Sequence, residues 1–178
     1  MARISKKVCL LGEFAVGKTS LVRRFVYDAF DDKYMSTIGV KVSRKTVVVP
    51  HEDEPIDLNM MLWDLAGSEE FSRVRASYFR GATGAVLVCD VTRPETLAGL
   101  LTYAQDLTRV CPKACFVVAG NKSDLVDARQ ITLADLEGAA EEIALATGCG
   151  SVACYLTSAR TGQDVESLFR GLALRVVG

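Results

Sequence analysis

One stretch constrains this chain more than any other: Gly12-Glu13-Phe14-Ala15-Val16-Gly17-Lys18-Thr19, with the G-x-x-x-x-G-K-[ST] spacing of a phosphate-binding loop. It follows the apolar run Val8-Cys9-Leu10-Leu11 and opens onto the helical pattern Ser20-Leu21-Val22-Arg23-Arg24-Phe25. A strand that ends in this loop and restarts as a helix is the context that gives the spacing its meaning. Gly12 and Gly17 let the backbone turn with N–H groups pointing inward, and the helix N-terminus behind them adds positive dipole. Lys18 can reach the β- and γ-phosphates of a nucleoside triphosphate, and Thr19 offers a hydroxyl to Mg²⁺.

The remainder of the chain alternates strands and helices. Lys6–Leu11 reads as a buried strand, and the helix after the loop runs to about Tyr27. Residues 30–39 are polar and irregular. Val40–Pro50 alternates as a half-exposed strand should, and after the charged turn 51–55 the segment Ile56–Leu65 returns, which predicts an antiparallel hairpin. Residues 67–80 predict a loop and a short helix with Phe71, Val74, Tyr78 and Phe79 on its apolar side. Gly84–Asp90 and Cys115–Gly120 are continuously apolar strands of the kind buried on both faces. Between them a helix is expected to start near Thr92 or Arg93, take Pro94 in its first turn and run to about Val110, where Pro112 closes it. Thr132-Leu133-Ala134-Asp135 has a capping-box pattern, and Gly148 and Gly150 mark that helix's end. Val152–Leu156 is the last strand and Asp164–Val176 the last helix. Six strands and about five helices in this order predict an α/β fold, a six-stranded mostly parallel sheet with helices on both faces, in a single domain over residues 1–178. Ligands in these sheets bind beyond the carboxyl ends of the strands.

Composition narrows the function classes. A formal net charge of −1 argues against nonspecific nucleic-acid binding. Six cysteines without a C-x-x-C pair, and a single histidine, His51, argue against a zinc site of ordinary ligand spacing. Cys9 and Cys89 lie in apolar strands, where free cysteine packs as a small hydrophobe; a reducing, cytoplasmic setting is expected. No apolar run approaches the length of a membrane span, and residues 1–7 leave no stretch for a signal peptide. No cysteine lies near Gly178 and Ala2 follows Met1, so neither prenylation nor myristoylation of this chain is expected.

Three motifs stand at predicted strand ends. Trp63-Asp64-Leu65-Ala66-Gly67 places Asp64 where a carboxylate would hold Mg²⁺, and Gly67 where a backbone N–H can approach a γ-phosphate without a Cβ in the way. In Asn121-Lys122-Ser123-Asp124, the Asp124 carboxylate matches the ring N–H and exocyclic amine of guanine, a donor pair that adenine lacks. Lys122 can lay its stem over the base, and Asn121 can tie the loops together. Thr157-Ser158-Ala159-Arg160 supplies a backbone N–H, from Ala159, toward the guanine carbonyl.

With GEFAVGKT, STIG, WDLAGSEEF, NKSD and TSAR in register over nearly its whole length, the chain resembles the small GTPases of the Ras superfamily, closest to the Rab/Ras branch. The resemblance implies the P-loop NTPase G-domain fold and a monomeric switch that binds GTP or GDP with Mg²⁺ and hydrolyses GTP. It implies metal ligands at Thr19, Thr37 and Asp64. It implies nucleotide contacts at Gly12, Phe14, Ala15, Val16, Gly17, Lys18, Thr19, Ser20, Phe30, Tyr34, Thr37, Gly67, Asn121, Lys122, Asp124, Ser158, Ala159 and Arg160. Phe30 matches the aromatic residue at the base edge, and Tyr34 the residue that closes over the phosphates. Effector, exchange-factor and activator proteins would read the segments 30–40 and 64–80, which order with GTP and relax on hydrolysis.

Two departures bear on catalysis. Ser68 stands where the family usually places a glutamine that orients the attacking water, and serine is too short for the same contacts. Phe14 stands where small residues are usual; turned inward, it would obstruct an incoming arginine finger. Slow intrinsic hydrolysis is expected, and the alternative is a GTP-binding interaction module with little or no hydrolysis. Arg73, Arg75 and Arg80 invite an arginine acting in cis, although a solvated helix face is the commoner explanation.

Overall fold

The computed structural model describes residues 1–31 and 37–178, and of residues 69–71 the backbone alone. Its strands are β1 Ala2–Leu11, β2 Val40–Val49, β3 Ile56–Leu65, β4 Ala82–Asp90, β5 Cys115–Asn121 and β6 Ala153–Leu156. They form one sheet in the order β2-β3-β1-β4-β5-β6. Only the β2–β3 hairpin is antiparallel; the other neighbours run parallel. The α-helices are α1 Lys18–Tyr27, α2 Glu69–Arg75, α3 Pro94–Ala98, α4 Leu100–Val110, α5 Leu133–Thr147 and α6 Val165–Val177.

Strand periodicity sorts the side chains into two cores. On one face of the central strands, Val8, Leu10, Val86, Val88, Val117 and Ala119 pack with Leu21 and Phe25 of α1 and Leu168, Phe169 and Leu172 of α6. Phe25 and Phe169 stack with ring centroids 4.2 Å apart and planes within 6°. On the other face, Cys9, Leu11, Leu87, Cys89, Phe116 and Val118 pack with Leu100 and Leu107 of α4 and Leu136 and Ile143 of α5. Helices therefore cover both faces. Burial pushes the thiols of Cys9 and Cys89 up to about 12, so neither is a nucleophile at neutral pH.

Several boundaries differ from the sequence expectation. β1 begins at Ala2 rather than Lys6, because Ala2 to Ser5 pair with Ile56 to Asn59. That ladder needs only backbone groups, so the exposed Ala2 and Arg3 carry no apolar signal for it. The expected 92–110 helix is two helices meeting at Gly99. A Cβ there would lie 3.0 Å from the Glu13 carboxylate, which reaches from the phosphate loop into this junction. The stretch after Gly67 is α2 followed by a 3₁₀ turn, Ala76–Tyr78. Of its expected apolar side, Phe79 is buried whereas Val74 is 49% and Tyr78 36% exposed. The Phe71 side chain lies outside the described residues. The capping box on α5 is present: Asp135 N–H donates to Thr132 Oγ1, and Thr132 N–H donates to the Asp135 carboxylate. Gly148 ends that helix at φ 70°, a conformation glycine adopts without strain.

Candidate functional site

The carboxyl ends of β1, β3, β4, β5 and β6 meet at one edge, where a cleft of about 280 Å³ opens. Phe14, Ala15, Gly17, Lys18, Thr19, Ser20, Phe30, Thr37, Gly67, Asn121, Lys122, Asp124, Ala159 and Arg160 line it. Arg23, Asp31 and Leu125 line it too, and no motif had singled them out. Gly12, Val16, Asp64 and Ser158 stand behind its wall. Tyr34 lies outside the described residues.

The phosphate loop is held from outside by its carbonyls. Lys18 Nζ donates to Gly12 O and Glu13 O, both at 2.8 Å. Arg93 donates to Phe14 O at 3.1 Å, Lys122 Nζ to Ala15 O at 2.8 Å, and Asn121 Nδ2 to Val16 O at 3.0 Å. In a trans peptide the C=O and the following N–H point oppositely, so tying these carbonyls outward turns the N–H groups of residues 13–17 inward. Both glycines are required by packing. A Cβ on Gly12 would sit 2.3 Å from Val88 O, and one on Gly17 would sit 2.3 Å from Asn121 Nδ2. Their φ values, 154° and 101°, disfavour any side chain as well.

At the phosphate end, Thr19 Oγ1 donates to Asp64 Oδ2 and shares a hydrogen bond with Thr37 Oγ1. Asp64 is 1% exposed, and among the described residues its Oδ1 has no hydrogen-bond partner. Burial raises its pKa, opposed by the Thr19 hydrogen bond and by Lys18 and Lys41. A bare buried carboxylate oxygen beside two hydroxyls fits a hard divalent cation that takes one carboxylate and fills its shell with phosphate and water. The residues present thus fit Mg²⁺. Burial also lowers the Lys18 ammonium to about 8, with Asp64 pulling the other way; an anion in the cleft would favour the charged form further. Gly67 approaches the loop so closely that a Cβ would lie 2.6–2.8 Å from the backbone of Gly12, Glu13 and Phe14.

At the other end, Asn121 Oδ1 accepts from Thr157 Oγ1 at 3.2 Å and from Ala159 N–H at 3.3 Å, which joins the loops after β5 and β6. Ser158 Oγ donates to Asp124 Oδ1 at 2.7 Å and orients that carboxylate in the cleft. Lys122, at φ 67°, bridges Ala15 O and Asp90 Oδ2, the latter at 2.9 Å. Burial would raise the Asp90 pKa, but hydrogen bonds from Lys122 and Thr92 outweigh it and hold the carboxyl below its ordinary value. Asp90 and Arg93 escaped the sequence reading. The only signal for Asp90 was an acidic residue closing an apolar strand.

The departing residues have clear places. Ser68 is the N-cap of α2, makes no capping hydrogen bond with its side chain and does not line the cleft. Phe14 lies on the cleft wall and is 47% exposed. Arg75 stacks on the Tyr103 ring at 4.6 Å, and neither it nor Arg73 nor Arg80 lines the cleft. Among the described residues, no helix is long and apolar enough to cross a membrane.

A family model for the Ras family matches residues 7–177. The chain is 36% identical to the Ras-related protein Rab-31 of Homo sapiens over 177 residues, 99% of this chain and 85% of that protein. The Rab-31 proteins of Mus musculus and Rattus norvegicus align with the same identity and coverage.

Proposed function

The chain belongs to the Ras family and is a GTP-binding, GTP-hydrolysing molecular switch, and from that premise we propose how its own residues hold the nucleotide and limit its turnover. The inward N–H groups of residues 13–17, with Lys18 and the N-terminus of α1, bind the β- and γ-phosphates. Thr19, Thr37 and Asp64 hold Mg²⁺, which when bound neutralises charge on the phosphate oxygens. Asp124 selects guanine through its carboxylate, Ala159 N–H meets the base carbonyl, and Phe30 and the Lys122 stem flank the ring. The observation that carries this reading is one cleft lined by Lys18, Thr19 and Thr37 at one end, with Asp64 behind Thr19, and by Asp124 at the other.

Family members act through effector, exchange-factor and activator proteins; in this chain the segments 30–40 and 64–80 are proposed as the surfaces they read. Ile38 at 92% exposure and Val74 at 49% give those segments apolar contact area. Thr37 and Gly67, on opposite segments, both line the cleft, so loss of a γ-phosphate releases both. Ser68 stands at the N-cap position of α2 and does not line the cleft, so attack on the γ-phosphate proceeds without the glutamine that the family usually places here to orient the water. Phe14 stands on the cleft wall beside the phosphate loop, so a conventional arginine-finger activator should fit this chain poorly.

Nucleotide competition tests the assignment. GTP and GDP should displace a bound fluorescent GDP whereas ATP should not, and Lys18→Ala should abolish binding. Equal displacement by ATP would remove Asp124 from its role.

A further inference from the structure

We propose that Arg24, which does not itself line the cleft, is the positioning residue that holds the Ala159–Arg160 backbone so that the Ala159 N–H faces the base carbonyl; this rests on the guanine-binding reading above. Arg24 lies in the last turn of α1 and its side chain is 19% exposed. Each of its three guanidinium nitrogens donates a hydrogen bond. Nε donates to Ala159 O at 2.8 Å, one terminal nitrogen donates to Arg160 O at 2.6 Å, and the other pairs with Asp28 at 3.0 Å. Asp28 follows the helix directly, and its own N–H donates to Arg24 O, so the guanidinium is braced from its own helix.

The loop on the far side is built to receive it. Residues 158–163 fold back on themselves, with Gly162 N–H donating to Ser158 O and Ser158 N–H to Gln163 O. Gly162, at φ 87°, faces the Arg24 stem, where an added Cβ would lie 3.7 Å from Cδ. Ala159 is therefore gripped at its carbonyl by Arg24. Its N–H makes only a long 3.3 Å bond to Asn121 Oδ1, which a better acceptor in the cleft can replace. Two consecutive carbonyls held by one planar fork fix the two peptides that follow the Ala159 Cα, while Gly162 N–H holds the Ser158 carbonyl of the peptide that carries the Ala159 N–H. Arg24 therefore places that N–H through the Ala159 Cα rather than directly, a geometry no lysine could impose as a point charge.

The same helix begins in the phosphate site. Lys18 and Thr19 are in its first turn, and Arg24 lies six residues on, a rise of about 9 Å. Helix α1 thus acts as a ruler between the phosphate end and the base carbonyl, with Arg24 as the mark at its far end. Asp124 is held by the Ser158 hydroxyl, which makes no bond to Arg24, so the two base contacts have different immediate partners.

That division gives the test. Release of GDP, of IDP (which keeps the base carbonyl but lacks the amine) and of thio-GDP (sulfur in place of the carbonyl oxygen) is measured from the full chain with Mg²⁺. Arg24→Ala should speed GDP and IDP release about tenfold each, and thio-GDP release no more than about twofold, because sulfur is a weak acceptor with little to lose. Arg24→Lys, which keeps the charge and the stem, should show the same ranking and guards against a misfolded alanine variant. Equal acceleration for all three nucleotides would mean a merely structural staple and overturns the proposal, as does no acceleration. If the wild type itself releases thio-GDP no faster than GDP, the assignment of the Ala159 N–H to the base carbonyl falls, and this proposal with it.

Discussion

Asp64 offers the sharpest perturbation, because its carboxylate is buried for a purpose the polypeptide alone does not satisfy. Oδ2 accepts from Thr19, and Oδ1 accepts from nothing among the described residues. Asp64→Asn keeps the shape and removes the charge. Relieving an incompletely paired buried charge should stabilise the metal-free protein by about 1–3 kcal/mol. For a chain of this size that is a rise in Tm of roughly 2–10 °C. The variant should in turn lose the added stability that Mg²⁺ and GDP give the wild type, about 2.7 kcal/mol at a hundredfold excess over Kd. The pH dependence carries the same sign. Burial raises the Asp64 pKa, so the folded metal-free protein binds that proton more tightly than the unfolded chain. The wild type's disadvantage should therefore shrink as pH falls from neutrality through the raised pKa. Thermal unfolding followed by circular dichroism, with and without Mg²⁺ and GDP, reads all three effects. A metal-free Asp64→Asn protein that melts below the wild type, or one that keeps the full Mg²⁺-dependent gain, would refute the metal assignment.

Three further outcomes follow from the geometry. Gly17→Ala places a Cβ 2.3 Å from Asn121 Nδ2 at φ 101°, so GDP binding in an equilibrium assay should drop at least about a hundredfold while the sheet stays folded. Arg93→Ala frees the Phe14 carbonyl of its 3.1 Å brace and should speed GDP release about threefold to tenfold in a chase experiment. Phe169→Ala removes a fully buried ring stacked on Phe25 and should lower unfolding free energy by about 3–5 kcal/mol in denaturant titration.

The sequence was most legible where a local rule and the tertiary structure agree. Ile56–Leu65 is bounded by a charged turn on one side and a glycine motif on the other, and β3 has those limits. Thr132 and Asp135 satisfy each other without help from the remainder of the chain, so the start of α5 could be read directly. The break at Gly99 was not legible, because glycine in a helical pattern becomes a junction only when Glu13 arrives from the phosphate loop. Arg24, Asp90 and Arg93 were missed for the same physical reason. Each acts on a group that the topology brings from far along the chain: Arg24 on carbonyls 135 and 136 residues away, and Arg93 on one 79 residues away. Motifs name the residues that touch a ligand; they do not name those that hold the motif backbones in place. The α2 region failed by periodicity: Val74 and Tyr78 look like core in the sequence, yet they are 49% and 36% exposed.

The most direct measurement is single-turnover hydrolysis of GTP loaded on the purified protein. The wild type should convert its bound GTP to GDP slowly, and Ser68→Gln should be at least about tenfold faster, a barrier lowered by about 1.4 kcal/mol. A wild type as fast as its Ser68→Gln variant would contradict the claim that this chain is a switch limited by the missing water-orienting side chain.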